Sequence, residues 1–322
     1  MNIETKNKII KRAAEAGISK DRILTGEALS AHTTFRIGGP AELMIKICSP
    51  SELSQILGLL EEDQICHMLV GNGSNLLFSD EGYEGVILIL EGDFLNIEWE
   101  DGTNGKGLIR AGGGIKLSRL SSFAADNSLT GLEFACGIPG TVGGGIYMNA
   151  GAYGGELKDS VQSVDLMKAD GSGVMTLTGE EMKFGYRHSI LQEKELIVLS
   201  AVFSLDKGNQ EEIRETMSQL NRKRNSKQPV NYPSAGSTFK RPVGGYAAAL
   251  IQESGLKGFS VGGAQVSEKH SGFVINTGGA TCSEVLALME KVRDKVLQDS
   301  GIRLEPEVRI IGKDGTELNK NF

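Results

Sequence analysis

Two residues of this chain stand in segments that suit chemistry. Ser237 lies in SAGSTFKRP, which has neither the GxSxG motif nor the histidine and aspartate pattern of a hydrolytic triad. A serine without a base is a poor nucleophile, but it can donate a proton to a strongly basic carbanion. Arg187, in the segment FGYR, could hold a substrate carboxylate bidentately. The structural alternatives are a serine that satisfies loop backbone and an arginine in a surface ion pair.

The segment LEPEVRI, residues 304–310, alternates in polarity. We predict a strand over residues 303–311, on which alternation places Glu305, Glu307 and Arg309 on one face. This face is either solvated or lines a polar site that contains a carboxylate and a guanidinium.

Basic residues cluster near the end of a predicted helix, at Arg222, Lys223, Arg224 and Lys227. Cations at a helix C-terminus complement the helix dipole, which is a structural reason for the cluster. The functional interpretation is contact with a diphosphate. Composition does not choose between the two.

Two glycine-rich segments could approach a ligand closely. GNGSN, residues 71–75, follows a predicted strand and could form an anion nest, or simply a tight turn; it matches neither GxGxxG nor a Walker motif. GIPGTVGGGIYMNAGAYGG, residues 137–155, is either a linker or a packed loop that lets backbone approach a large, flat ligand. Its interspersed apolar residues favour a packed loop. Together the two segments indicate a dinucleotide bound outside a Rossmann fold.

Periodicity and end signals predict the elements that must position these residues. The predicted helices cover residues 3–16, 50–60, 116–127, 211–224, 246–254 and 284–298. The predicted strands cover residues 42–47, 66–70, 85–90, 108–111, 161–168, 174–177, 196–205, 272–276 and 303–311. We place the main domain boundary near residue 207, with an α/β block before it and a smaller α+β block after it.

Composition excludes several classes of protein. The 322 residues are 39% hydrophobic and 23% charged, as in a globular protein with a sizeable core. A net charge of −7 argues against a general nucleic-acid or anionic-membrane binder, and no apolar run is long enough to span a membrane. The four cysteines are scattered and the four histidines lack metal-ligand spacing, so we expect no metal and a reducing cytoplasm.

Several of these motifs, in this order, resemble one family of flavoenzymes, the UDP-N-acetylenolpyruvoylglucosamine reductases, which make the muramic-acid precursor of bacterial peptidoglycan. The resemblance runs from TTFRIGGPA to LEPEVRIIG and includes VGNGSNLL, GIPGTVGGGIYMNAGAYGGE, FGYRHS, AGSTFKRP and GGAQVSEKHSGFVIN. The chain is similar to the shorter subclass, because the interval from Arg187 to Leu196 leaves no room for the tyrosine-bearing insertion of the longer one.

The resemblance implies an α+β protein in which a vanillyl-alcohol-oxidase-type (PCMH-type) FAD-binding domain precedes a substrate-binding domain. The FAD-binding region would cover residues 1–207, with subdomains of about 1–90 and 91–207, and the substrate-binding domain residues 208–322. No residue for covalent flavin attachment is evident, so we expect noncovalent FAD. It would lie between the GNGSN turn and residues 137–151.

The resemblance also implies roles for individual residues. Ser237 matches the proton donor, and Arg187 and Glu307 match the other two catalytic residues. The positions that match nucleotide-substrate contacts are Tyr153, Arg224, Lys227 and Arg309. The positions that match FAD contacts are Gly71, Asn72, Gly73, Ser74, Asn75, Gly137, Ile138, Pro139, Gly140, Val142, Gly143, Gly144, Asn149, Ala150 and Gly151.

The implied reaction is reduction of UDP-N-acetylglucosamine enolpyruvate, with NADPH as hydride donor. We expect a cytoplasmic enzyme that has no nucleic-acid, membrane or obligate protein partner. Two alternatives are open at this point: another flavin oxidase or dehydrogenase of the same fold, and a noncatalytic sugar-nucleotide-binding protein.

Overall fold

The computed structural model describes residues 1–321, with side chains described through residue 319. Seven α-helices are formed among these residues: α1 (Ile3–Glu15), α2 (Pro50–Glu62), α3 (Leu117–Asp126), α4 (Val142–Met148), α5 (Gln210–Lys227), α6 (Ala247–Glu253) and α7 (Cys282–Ser300). The long helices begin at residues that cap them. Ser49 Oγ accepts the N–H of Glu52 at the start of α2, and a reciprocal capping box joins Thr281 and Glu284 at the start of α7.

The strands of the described residues range from two to 12 residues in length. They are β1 (Ile23–Ala28), β2 (Pro40–Ile47), β3 (His67–Leu69), β4 (Leu76–Phe78), β5 (Tyr83–Leu90), β6 (Ile97–Asp101), β7 (Lys106–Gly112), β8 (Leu129–Thr130), β9 (Gly151–Ala152), β10 (Gly155–Glu156), β11 (Val161–Lys168), β12 (Val174–Thr178), β13 (Leu196–Lys207), β14 (Ser260–Val261), β15 (Ala264–Val266), β16 (Val274–Asn276) and β17 (Arg309–Ile311).

The chain forms two compact units, each discontinuous in sequence. Unit 1 contains residues 1–24, 44–72 and 87–223, and unit 2 contains residues 25–43, 73–86 and 224–322. The predicted domains are continuous segments, so these units divide the chain differently. The predicted boundary near residue 207 stays a prediction.

Unit 1 is built around an antiparallel six-stranded sheet in the order β12-β11-β13-β7-β6, with β8 paired to β13. The predicted hairpin around residues 170–173 is confirmed, because β11 and β12 pair antiparallel, with Leu166 opposite Met175. Helices α3 and α4 contribute Leu120 and Ile146 to the core of this unit, both fully buried.

Unit 2 packs helix α7 with two small sheets. The antiparallel sheet has the order β14-β15-β16, and β17 pairs with β4 in parallel. The core contains the apolar stripe predicted for α7, in which Val285, Leu288, Met289, Val292 and Val296 are fully buried.

Three local predictions need correction. The stretch 137–155 is not one loop, because α4 forms in its middle. Helix α5 does not end at Arg224 but continues through Lys227. The strand predicted over residues 303–311 begins only at Arg309, since Pro306 has no N–H to donate to a continuous ladder. Burial nevertheless alternates as predicted, with Leu304, Pro306, Val308 and Ile310 buried.

Candidate active site and cofactor-binding region

The first glycine-rich segment turns directly after β3. In unit 1, Asn72 Nδ2 donates to the Pro139 carbonyl oxygen at 2.7 Å. A Cβ on Gly71 would lie 2.4 Å from Thr141 Oγ1, so no larger residue fits there without a shift. The start of GNGSN therefore packs directly against the GIPGT segment.

The second half of the same turn belongs to unit 2. Gly73 has a left-handed φ of 58°, and a Cβ there would lie 2.2 Å from the His32 carbonyl oxygen. The Gly73 carbonyl accepts the N–H of Thr34. The main-chain hydrogen bonds of the described residues include none donated by the N–H groups of Gly73 and Ser74. These two donors suit an anion.

Packing of the short helix α4, rather than ligand approach, explains two glycines of the second segment, Gly143 and Gly145. The N–H groups of Val142 and Gly143 donate to the carbonyls of Ile115 and Gly113 at 2.7 and 2.8 Å. A Cβ on Gly145 would lie 2.8 Å from Leu157 Cδ1. Backbone of α4 is thus packed closely on the chain that follows β7, and the N–H groups of Val142 and Gly143 are already used.

Other positions of this segment remain open to a ligand. Pro139 and Gly144 are exposed, whereas Ile138 and Gly140 are half-buried. A Cβ on Gly144 would meet nothing closer than Thr141 Oγ1 at 3.5 Å. This accessible, side-chain-poor backbone in unit 1 suits a flat ring system, and the N–H donors in unit 2 suit a phosphate. Each set by itself fits part of a dinucleotide.

Gly137 is half-buried at the end of a 3₁₀ turn, Glu133–Gly137. Farther along, Ala150 pairs with Gly145 and Leu157 through its N–H and its carbonyl. Gly151 faces Glu156 in the β9–β10 hairpin. These three predicted cofactor positions are ordered by contacts within the protein.

Arg187 occupies a tight turn. The N–H of Gly185 donates to the His188 carbonyl at 3.0 Å, and the reverse bond is 3.3 Å long. Arg187 has φ of 54°, a left-handed conformation that is uncommon for a residue with a side chain. Its guanidinium lies 5.3 Å from the centre of the Tyr186 ring. Such a turn fixes the direction in which the arginine leaves the backbone.

Ser237 in unit 2 is exposed, between the half-buried Gly236 and the buried Thr238. The residue after it, Thr238, is 4% exposed and is bonded to the main chain of distant segments. Its N–H donates to the Gly272 carbonyl, and its Oγ1 accepts the N–H of Val274, both at 2.9 Å. Its carbonyl accepts the N–H of Glu307 at 2.8 Å. The structure therefore brings Ser237 and Glu307 together on adjacent, mutually bonded segments.

Glu307 is also tied to the glycine-rich turn. Asn75 Nδ2 donates to the Glu307 carbonyl at 3.1 Å, and the N–H of Arg309 donates to the Asn75 carbonyl at 3.0 Å. The Arg309 guanidinium binds the Glu317 carboxylate, with its nearest nitrogen at 2.9 Å. Three predicted positions, Asn75, Glu307 and Arg309, thus share one hydrogen-bonded region of unit 2.

The predicted substrate-contact residues fall into both units. In unit 1, the Lys223 ammonium lies 5.2 Å from the centre of the Tyr153 ring, and Tyr153 has a left-handed φ of 55°. In unit 2, Arg224 is half-buried and Lys227 is exposed at the end of α5. The Asn225 carbonyl accepts a 2.6 Å hydrogen bond from Lys269.

Sequence reasoning missed several residues that hold this region. Thr238 and Gln192 had no local signal, because their importance depends on bonds to distant segments. Glu156 had a weak one, as the carboxylate that ends the second glycine-rich segment. Its pKa is lowered chiefly by the hydrogen bond from Lys158, against the raising effect of burial, with smaller contributions from Asn149 and the charge of Arg187.

Other chemical features are plain. The four cysteines lie in the described part of the chain and form no disulfide there; burial raises the pKa of Cys282 to about 12. Within residues 1–321, no group of His, Cys, Asp and Glu is arranged to hold a metal. No helix in this range combines the length and apolar character needed to cross a membrane.

A sheet-based unit with two mutually packed glycine-rich segments, accompanied by an α+β unit, is the architecture expected of an FAD-binding protein of the vanillyl-alcohol-oxidase type. Residues 41–176 match the FAD binding domain family, and residues 228–311 match the UDP-N-acetylenolpyruvoylglucosamine reductase C-terminal domain. The chain belongs to the UDP-N-acetylenolpyruvoylglucosamine reductase family.

Similar proteins cover nearly the whole chain. The reductase of Caldanaerobacter subterraneus is 48% identical, over 92% of this chain and 96% of its own length. That of Lachnoclostridium phytofermentans is 46% identical, over 95% and 98%. The crystal structure of UDP-N-acetylenolpyruvylglucosamine reductase from Thermus caldophilus has a TM-score of 0.76 at 35% identity, over 90% and 98%. The predicted family, fold class and FAD cofactor are thereby confirmed.

Proposed function

We propose that this chain reduces the enolpyruvyl group of UDP-N-acetylglucosamine enolpyruvate to give UDP-N-acetylmuramate, with NADPH as hydride donor. The reaction supplies the muramic-acid precursor of peptidoglycan. The support is the identity of 44–48% to reductases over most of the chain. The observation that carries the mechanism is the bonded pair of segments that presents Ser237 and Glu307.

FAD, when bound, would supply the hydride-transfer chemistry between NADPH and the terminal carbon of the enol ether. The protein must then stabilise negative charge on the neighbouring carbon and carboxylate, and protonate that carbon. The product gains one hydride and one proton in total, and NADPH leaves as NADP⁺. Gly71, Asn72, Pro139 and Gly144 are the positions of unit 1 whose packing and exposure suit the cofactor best.

Arg187 binds the substrate carboxylate and stabilises the charge that develops there. A guanidinium is always protonated, and its fork of donors matches a carboxylate. The stabilisation that Arg187 provides is largest in the transition state, because the negative charge on the substrate grows there. Glu307 assists through a hydrogen-bonded or protonated carboxyl group, which stabilises the same developing negative charge.

Ser237 donates its Oγ proton to the carbon that carries the negative charge. A serine hydroxyl stays protonated at physiological pH, and a carbanion is basic enough to remove its proton. The serine then regains a proton from solvent. The nucleotide would be bound by aromatic and cationic groups from Tyr153, Lys223, Arg224, Lys227 and Arg309. The guanidinium of Arg309 would be shared with Glu317.

The test is a visible spectrum of the purified protein, recorded anaerobically with NADPH and then with the enolpyruvyl UDP-sugar. We expect a flavin spectrum that bleaches with NADPH and returns when the sugar is added. Bleaching without recovery would keep the flavoenzyme but reject this substrate. If no flavin were present, even after reconstitution with FAD, the whole proposal would fail.

A further inference from the structure

Asn149 lies in an unusual setting at the end of α4. It is 1% exposed and has a left-handed backbone, with φ 42° and ψ 60°. Its amide nitrogen donates to the Gly185 carbonyl at 2.9 Å and to Glu156 Oε2 at 3.0 Å. Its amide oxygen accepts the N–H of Lys158 at 3.0 Å. Both donor hydrogens are therefore committed to the protein, which argues against a direct cofactor contact.

The Gly185 carbonyl begins the turn that carries Arg187. A second side-chain amide reaches the same turn, since Gln192 Nε2 donates to the Arg187 carbonyl at 2.8 Å. Gln192 also donates to the Tyr147 carbonyl of α4 at 3.1 Å. Two side-chain amides thus attach the turn to the C-terminal end of α4, and Ser189 Oγ, directly after the turn, donates to the same Tyr147 carbonyl at 2.9 Å. This attachment keeps Arg187 in a backbone conformation that it would not favour alone.

Asn149 also connects the turn to a carboxylate. Glu156 Oε2 accepts from Asn149 and lies 2.7 Å from Lys158 Nζ. The positive charge of Arg187 acts on this carboxylate as well. One buried amide therefore joins the backbone of the arginine turn to a negative charge near the arginine itself.

We propose that Asn149 is a positioning residue for Arg187, with Gln192 as a second hold on the same turn. The inference rests on the proposed function, because it matters only if Arg187 acts on the substrate. It replaces the predicted role of Asn149 as a cofactor contact. If either amide is lost, Arg187 is still present, but its turn is no longer held so that the side chain leaves the backbone in one direction.

The experiment compares two variants with a matched control. Asn149→Gly keeps a residue that accepts the left-handed backbone, and Gln192→Ala changes an exposed side chain. Asn127→Gly is the control, since Asn127 also ends a helix in unit 1 and donates its amide to a backbone carbonyl, that of Phe123. Each variant is assayed for bound FAD, for flavin reduction by NADPH and for flavin reoxidation by the enolpyruvyl UDP-sugar.

For Asn149→Gly we expect normal FAD content, normal reduction by NADPH and reoxidation slowed by about 10–100-fold, as for a misplaced catalytic group. Gln192→Ala should show the same selective loss, about threefold to tenfold, without a lower melting temperature. The control should leave both half-reactions as they are. Loss of FAD from Asn149→Gly, or equal slowing of both half-reactions, would overturn the inference.

A double-mutant cycle separates this inference from the proposed function. In an Arg187→Ala background, Asn149→Gly should slow reoxidation no further than about twofold, because its effect passes through the arginine. If Asn149→Gly slowed reoxidation as much in that background as in the wild type, the positioning role would be rejected, but the proposed reductase function would stand. If Arg187→Ala alone did not slow reoxidation, the proposed role of Arg187 would fail, and the inference with it.

Discussion

The turn that carries Arg187 and the segment that carries Ser237 are held in different ways. Two side-chain amides hold the arginine turn, one from Asn149 and one from Gln192. The serine segment is held largely by main-chain bonds, from Thr238 to Gly272 and to Glu307. A position fixed by side chains depends on a few residue types, whereas one fixed by backbone tolerates many. Substitutions should therefore loosen Arg187 more readily than they displace Ser237.

The largest effect should come from removing the serine hydroxyl itself, because no backbone contact can replace it. Ser237→Ala should leave reduction by NADPH nearly unchanged and slow reoxidation by the sugar by about 10³-fold or more, as for loss of a general acid. Stopped-flow flavin absorbance measures both steps. Equal loss in the two half-reactions would contradict the proton-donor role.

The GNGSN turn is bonded to the Glu307 segment through Asn75. We expect a backbone clash to disrupt this turn more than loss of a side-chain contact would. Gly73→Val places a β-branched residue at a left-handed φ and its Cβ against the His32 carbonyl. We expect weaker FAD retention and a loss of about 3 kcal/mol in the free energy of unfolding from combined strain and overpacking. Denaturant unfolding and flavin content measure the two effects.

Gly105→Val separates strain from clash in that experiment. Gly105 has φ of 75°, and a Cβ there would meet nothing within 4 Å. Its variant should lose only about 1 kcal/mol, the cost of the strained backbone alone, and keep its FAD. Normal flavin content in Gly73→Val would reject the cradle assignment of that turn.

In the arginine turn, Arg187→Lys keeps the positive charge but loses the planar guanidinium with its two parallel donors. Because lysine cannot bind a carboxylate bidentately, we expect reoxidation to slow by about 10²-fold while reduction by NADPH is retained. Transient kinetics at saturating sugar measure the change. A variant with full reoxidation would show that the charge alone suffices and that the turn needs no precise geometry.

The smallest expected effect tests whether main-chain bonds hold the segment that carries Ser237. Thr238→Val removes the acceptor of the buried Val274 N–H but leaves the main-chain bonds of residue 238 in place. We expect a loss of about 1–2 kcal/mol in the free energy of unfolding. Reoxidation should change less than about threefold if the serine is backbone-held. Thr238→Ser keeps the hydroxyl and should restore the stability; a large kinetic defect in the valine variant alone would contradict the comparison.

Local signals predicted much of the fold. The caps of α2 and α7 and the β11–β12 hairpin were readable because the residues that form them lie close together in sequence. Helix α4 was missed because three consecutive glycines disfavour a helix. Its N–H bonds to Ile115 and Gly113, together with the buried Ile146, stabilise it instead.

The chemistry-bearing residues were easier to identify than the residues that hold them. Ser237, Arg187 and Glu307 stand in recognisable segments, whereas Asn149 meets Gly185 across 36 positions of sequence. No local pattern reveals such a bond. The parallel pairing of β17 with β4 likewise joins segments that are far apart in the chain, so no local pattern reveals it.

The pairing of β17 with β4 has a consequence for synthesis of the protein. The bond from Asn75 to Glu307 spans 232 positions. A ribosome that adds about 5–20 residues per second needs about 12–46 s to make the intervening chain. During that time β4 leaves the ribosome with no strand beside it. Until β17 has been synthesised, the apolar edge of β4 is available to chaperones and to neighbouring nascent chains.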